Sequence, residues 1–162
     1  MPRDLAFLLD RAEISDTVMR YFFALDRFDT DAVRATLADP FTLDAGGVVA
    51  GPVAAKPLDE FMAELVERNW GFVATAHLNP NHLIEIDGDR GHVTAYMFGA
   101  HIAGPGPGEA FWGYGIYEID LIRAGEGWKI SRLNIAPVRT EGAHPADVYA
   151  AAAARRTGGE GH

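Results

Sequence analysis

The sequence has no cysteine. That single absence excludes disulfides, thiolate metal sites, iron–sulfur clusters and a cysteine nucleophile. Serine is scarce as well: Ser15 falls in a helical segment, Ser131 in a strand segment, and neither has the Gly-x-Ser-x-Gly context of a nucleophile elbow. No apolar run approaches the roughly 20 residues needed to span a bilayer. Met1-Pro2-Arg3-Asp4 is followed by apolar residues broken by Asp10, Arg11 and Glu13, unlike the basic-then-apolar order of a secretory signal. A soluble, cytoplasmic protein is expected. Positive charge is also in short supply: 14 Lys and Arg stand against 23 Asp and Glu, for a net charge of -9. The cations are scattered, which opposes contact with phosphate backbones, so neither nucleic acid nor membrane is an expected partner. The stretch Ala103-Gly104-Pro105-Gly106-Pro107-Gly108 lacks the glycine spacing and following helix of a phosphate cradle, so no nucleotide cofactor is expected.

What is present fits one domain, residues 1–156, long enough to bury roughly two-thirds of its unfolded surface. Leu5, Leu8, Leu9, Ile14, Val18, Tyr21, Phe22 and Leu25 recur at helical spacing, predicting a long amphipathic helix from Asp4, its N-cap, to Leu25. A second helix follows Asp29-Thr30-Asp31 and ends near Ala38. Pro40 to Asp44 and Val48 to Ala50 flank Gly46-Gly47 as a hairpin, and Leu58, Phe61, Met62, Leu65 and Val66 mark a third helix. From Gly71 the period changes to two, giving strands Phe72 to Leu78, His82 to Ile86, Gly91 to Ile102, Glu109 to Ile122 and Trp128 to Val138. Pro145 to Arg156 reads as a last helix and 157–162 as a disordered tail. Helices first and hairpin-connected strands afterward describe an α+β domain: a cone-shaped, curved, mostly antiparallel sheet wrapped around the N-terminal helices, enclosing a cavity.

Asp26 is an acid at the negative end of a helix dipole, where basic residues or glycine are the usual choice. Two readings stand: a surface pair with Arg20 or Arg27, or a carboxylate placed for chemistry. His77 shares a strand face with Val73 and Thr75, and imidazole suits proton transfer near neutral pH. A carboxylate accepting from one ring nitrogen makes the other a base. His101 shares a face with Val93, Ala95, Met97 and Gly99, small residues that leave room for a ligand. Tyr21 points inward as a core aromatic or as a phenol donating to a substrate carbonyl. Phe72, Trp112, Tyr114 and Tyr117 are candidate substrate-binding aromatics. His82 and His92, beside turns, are expected to be surface residues. No His-Glu-x-x-His spacing exists, so no metal is expected.

Arg11-Ala12-Glu13-Ile14, the Tyr21-to-Asp26 spacing, Thr75-Ala76-His77-Leu78, Ile86-Asp87-Gly88-Asp89 and Gly127-Trp128-Lys129-Ile130 resemble the SnoaL-like branch of the nuclear-transport-factor-two-like superfamily over nearly the whole chain. Within it the chain is most similar to the scytalone dehydratase and bile-acid dehydratase group. The resemblance implies that Asp26 and His77 form the catalytic pair, that His101 is a second polar residue on the next strand, and that Tyr21 holds a catalytic position. The dehydrochlorinases of the group have Lys at Tyr21 and Arg in the last strand, where this chain has Leu133. The Asp–Arg–Asp set of the epoxide hydrolases is not found. The expected function is a cofactor-independent lyase removing water from a small cyclic or polyketide-like substrate. An isomerase or polyketide cyclase using the same proton abstraction, or a non-catalytic ligand-binding module, stays open. The resemblance also implies a homo-oligomer, dimer or trimer, formed through the open sheet face.

Overall fold

The apolar stripe of the first helix decides where the core lies. In the computed structural model, which describes residues 4–45, 53–106, 108–125 and 127–159, helix α1 spans Leu5–Asp26. The Asp4 carboxylate accepts from the Phe7 N–H at 3.0 Å, satisfying a donor without an intrahelical partner. Ile14, Val18, Tyr21, Phe22 and Leu25 are buried. Leu5, Leu8 and Leu9 are exposed instead: the buried stripe starts at Ile14, and the turns before it project past the packed region. At the other end, the Phe28 N–H bonds Leu25 O (3.1 Å) and the Asp29 N–H bonds Ala24 O (3.0 Å), closing the helix with two of its last carbonyls satisfied. Phe28 takes the left-handed conformation there, φ 56°, and its ring packs edge-on against Trp70. Asp29 then caps α2 (Thr30–Thr36) by accepting from the Ala32 N–H. Asp26 is thus fixed on the last turn of a terminated helix.

The second helix stops at Thr36, two residues short of the predicted end, because Leu37 already enters strand β1 (Leu37–Asp44). Thr42, Leu43 and Asp44 pair in parallel with Arg132, Leu133 and Asn134 of the last strand. Among the described residues the antiparallel partner of β1 is β2 (Ala55–Lys56); the second hairpin arm expected at 48–50 lies outside the described residues. Pro57 has no side chain to cap α3 (Leu58–Asn69); Asp39 supplies the acceptor for the Leu58 N–H at 3.0 Å.

Strands β3 (Ala74–Leu78), β4 (Leu83–Asp87), β5 (Arg90–Ile102), β6 (Ala110–Ala124) and β7 (Gly127–Gly142) follow. The seven-stranded sheet has the order β2-β1-β7-β6-β5-β3, with β4 also on β5. Strands β3 and β4 share one edge of β5, setting His77 opposite Gly99 and Glu85 opposite His92. The open, curved α+β architecture agrees with the sequence expectation. Val93, Ala95, Tyr117, Ile119, Leu121, Trp128 and Ile130 meet α1 in the core, full burial of a Val, Leu or Ile side chain being worth about 1.5–3 kcal/mol.

Helix α4 (Pro145–Thr157) forms a smaller cluster, Val148 and Ala152 packing on Phe72, Ala103 and Phe111. It seats directly on the backbone of Gly71, where a Cβ would stand 1.8 Å from Ala152 O. The tail expected to be disordered is partly helical: Thr157 ends α4, and the Gly158 N–H bonds Ala154 O. Residues 160–162 lie outside the described residues. Among the described residues, no helix is long and apolar enough to cross a membrane.

Candidate active site

Helix α1 and strand β3 meet through one carboxylate. Asp26 accepts from the Thr75 hydroxyl (2.8 Å) and the His77 backbone N–H (2.8 Å), and its Oδ1 lies 2.6 Å from His77 Nδ1. A carboxylate only accepts, so Nδ1 carries a proton and donates; in the neutral ring this fixes the tautomer in which Nε2 has the free lone pair. Burial pushes the Asp26 carboxyl up, but the His77 ring and charge, the His77 N–H and the Thr75 hydroxyl outweigh it and hold it below the usual carboxylate range. The alternative surface pairing does not occur: Arg20 reaches Asp16, and Arg27 lies over the Phe23 ring. Alternation along β3 explains the fit, since Thr75 and His77 fall on one face.

His77 lines a narrow cavity of about 90 Å³, together with Tyr21, Gly99, His101 and Tyr117. Its ring stacks on Phe22 and stands edge-on to His101 at 5.1 Å. Gly99 faces this ring, and a Cβ there would be in ordinary contact with it, 3.5 Å from His77 Cδ2 and 3.9 Å from Nε2, taking up room beside it. His101 stacks on Phe111 at 4.6 Å. Burial, reinforced by His77 and opposed by Asp26, pushes its basicity down to about 3, so it is a neutral imidazole at pH 7. Its buried Nδ1 has no hydrogen-bond partner among the described residues. Such a group on a cavity wall is a ready contact for a bound polar molecule. Burial pushes the Tyr21 phenol up to about 12, with Arg68 opposing and Tyr149 adding; it stays protonated and donates.

Of the four candidate aromatics, Tyr117 alone lines the cavity. Phe72 lies one layer behind, buried against His101 and Tyr149. Trp112 and Tyr114 are corrected: on β6 the even-numbered positions point away from the core, and both are nearly half exposed on the outer sheet face. His82 bridges Ser15 on α1 (2.8 Å) and Asn79 (3.1 Å), a tether for the β3–β4 connection rather than a free surface residue. His92 sits on the outer face between Asp120 and Glu118, each at 2.7 Å. Among the described residues, no group of three or more metal-ligating side chains is arranged to hold an ion.

Sequence reasoning missed Thr75, Arg68 and Tyr149. Arg68 comes from the last turn of α3 and Tyr149 from α4; both line the cavity. Burial pushes the Tyr149 phenol up to about 12, against the pull of Arg68. The signal for Thr75 was its alternation with His77. Nothing local marks Arg68 or Tyr149, whose convergence depends on how two distant helices pack.

A curved α+β fold around a cavity with a carboxylate-held histidine defines the class, and the chain belongs to the SnoaL-like domain family, whose sequence pattern matches residues 6–134. The chain is similar to the Kfla4162 protein from Kribbella flavida, at 31% identity over 86% of this chain and 97% of that one, TM-score 0.79. Its fold is also similar to a candidate scytalone dehydratase from Novosphingobium aromaticivorans, at 18% identity over 85% and 89%, TM-score 0.71. A type 2 hexachlorocyclohexane dehydrochlorinase matches at 18% identity over 86% and 92%, TM-score 0.73. No curated protein matches the chain in sequence. These likenesses, with the cavity, support a coarse catalytic or ligand-binding role.

Proposed function

We propose that the protein is a cofactor-independent lyase that eliminates water from a small cyclic or polyketide-like β-hydroxy carbonyl compound. The observation that carries this reading is the 2.6 Å contact between Asp26 and His77 Nδ1 at the wall of the cavity, which leaves Nε2 as the base facing it. In the proposed reaction Nε2 takes the proton α to the carbonyl, and the C–H electrons pass into the enolate. Asp26 stabilises the imidazolium, while Tyr21 or His101 donates to the enolate oxygen. Collapse of the enolate forms the C=C bond and expels the β hydroxyl. The imidazolium of His77 returns its proton to that hydroxyl, releasing water; neutral His101 is too weak a base to carry that proton as an imidazolium at pH 7. The dehydratase and dehydrochlorinase among the similar folds are consistent with an elimination, and Leu133 in the cavity wall does not supply the cation that the dehydrochlorinase resemblance calls for.

The test is mass spectrometry of cyclic β-hydroxy ketones and polyketide-like substrates incubated with the wild type and with His77→Ala. The expected result is a product lighter by one water that the variant does not form. A product of unchanged mass supports an isomerase or cyclase, and an unchanged compound that binds supports a ligand-binding module. We further propose a cytoplasmic homo-oligomer assembled through the outer sheet face, where Tyr96, Phe98, Trp112 and Tyr114 are exposed on neighbouring strands. A sheet face this apolar calls for a cover.

A further inference from the structure

The arginines of this acidic protein divide into those that reach a carboxylate and those, Arg11, Arg27, Arg68 and Arg90 among them, that make no ion pair among the described residues; of these four, Arg68 lines the cavity that holds His77. Here 23 Asp and Glu are set against 14 Lys and Arg, and Arg20, Arg34, Arg123, Arg132 and Arg139 each reach an acidic side chain. Arg68 makes no such ion pair among the described residues. It is half-buried on the last turn of α3 and lines the same cavity as His77, His101 and Tyr149. The rest of the wall is mostly apolar, with Leu25, Leu43, Leu65, Met97, Leu133 and Ile135 among its residues. A guanidinium beside such a surface keeps its charge, and its five N–H donors match a carboxylate in a forked, two-bond contact. Two phenols close enough to feel its charge, Tyr21 and Tyr149, also line the cavity. Both remain protonated at neutral pH and serve as donors.

We infer that the molecule bound in the cavity carries a carboxylate, which Arg68 holds in an ion pair and to which Tyr149 donates a hydrogen bond. A monoanion fits better than a phosphate dianion, since Arg68 is the single Lys or Arg among the residues of the cavity wall and the protein is strongly acidic. This deepens the lyase reading by naming the substrate class: the carbonyl compound bears an acid group, held by Arg68 while His77 acts on a carbon elsewhere in the molecule.

The test uses benzoate and benzamide, flat probes of equal size that differ in charge, titrated at pH 7 into the wild type, Arg68→Gln and His77→Asn by calorimetry or NMR. A charge-assisted contact worth more than a neutral one predicts benzoate binding about 10-fold more tightly than benzamide to the wild type. In Arg68→Gln the preference should vanish while benzamide binding persists, which also reports that the variant is folded. His77→Asn should keep the preference. A wild type that binds benzoate no more tightly than benzamide, or not at all, overturns the inference, as does an Arg68→Gln protein with the preference intact. Because the readout is binding, its failure is separable from failure of the lyase reading, which is scored by turnover in the His77 variants.

Discussion

His77 owes its assigned role to three contacts made by its neighbour, and each is open to substitution. Asp26→Asn keeps the size of the side chain but replaces a pure acceptor with a group that also donates, so the Nδ1–H tautomer is no longer enforced. Turnover should fall about a hundred- to ten-thousand-fold, measured against an unchanged circular dichroism spectrum. Gly99→Ala probes the space in front of the base. The added methyl would lie 3.5 Å from His77 Cδ2 and 3.7 Å from His101 Cε1, ordinary contacts that leave the fold intact. The expected outcome is an unchanged melting temperature with turnover down roughly 10-fold or more, since the methyl takes up room in front of His77 and a substrate shifted by about 1 Å loses its alignment. His101 yields a pH prediction. Its folded basicity is pushed down to about 3, against roughly 6.5 unfolded, so the unfolded chain binds the extra proton between those values. Stability therefore falls as pH drops through that window, by up to about 1.36 kcal/mol per unit. His101→Phe should flatten the drop between pH 6.5 and 5. That range lies above the usual carboxylate pKa of about 3.9, so the stability Asp26 contributes, present above that value and lost as pH falls through its lowered one, does not interfere. Urea midpoints at several pH values measure it.

At the scale of elements, α4 rests on a small cluster separate from the main core, so it can open without the sheet. Gly71→Ala would drive a methyl into the Ala152 carbonyl, and a backbone atom cannot step aside as a flexible side chain can. Hydrogen exchange should show α4 amides losing protection while β5 and β6 keep theirs; equal loss in all three would mean that α4 folds with the core. The strands were the most legible elements, because their two-residue alternation runs over long stretches such as Arg90–Ile102. Strand β1 was read only as one arm of an antiparallel pair; its second, parallel partner lies some ninety residues away in β7, and no local pattern encodes that pairing. The length of α1 was legible, but its burial was not: Leu8 and Leu9 fit the stripe by spacing, yet no element among the described residues covers them.

For the whole molecule, the separation between what sequence reached and what it did not follows the range of the contacts. Asp26 and His77 were legible as candidates because each sits oddly in its own segment, an acid at a helix end and an imidazole in an apolar strand, and it was the family resemblance that joined them as a pair. Arg68 and Tyr149 were not, because α3 and α4 bring them to the cavity only after folding. Trp112 and Tyr114 were aromatic enough to suit a pocket, and the alternation of β6 turned them outward. That placement gives a prediction: Trp112→Glu should shift the sedimentation coefficient toward the monomer without lowering the melting temperature of a dilute sample. A wild type that already sediments as a monomer would remove the case for assembly through this face. The central claim is that His77, held by Asp26, removes a proton next to a carbonyl. It is tested most directly by NMR of solvent-deuterium incorporation at the α carbon of cyclic β-hydroxy ketones. The account predicts exchange that the wild type accelerates over buffer and His77→Asn does not; equal exchange in the two proteins, or none above buffer in the wild type, would contradict it.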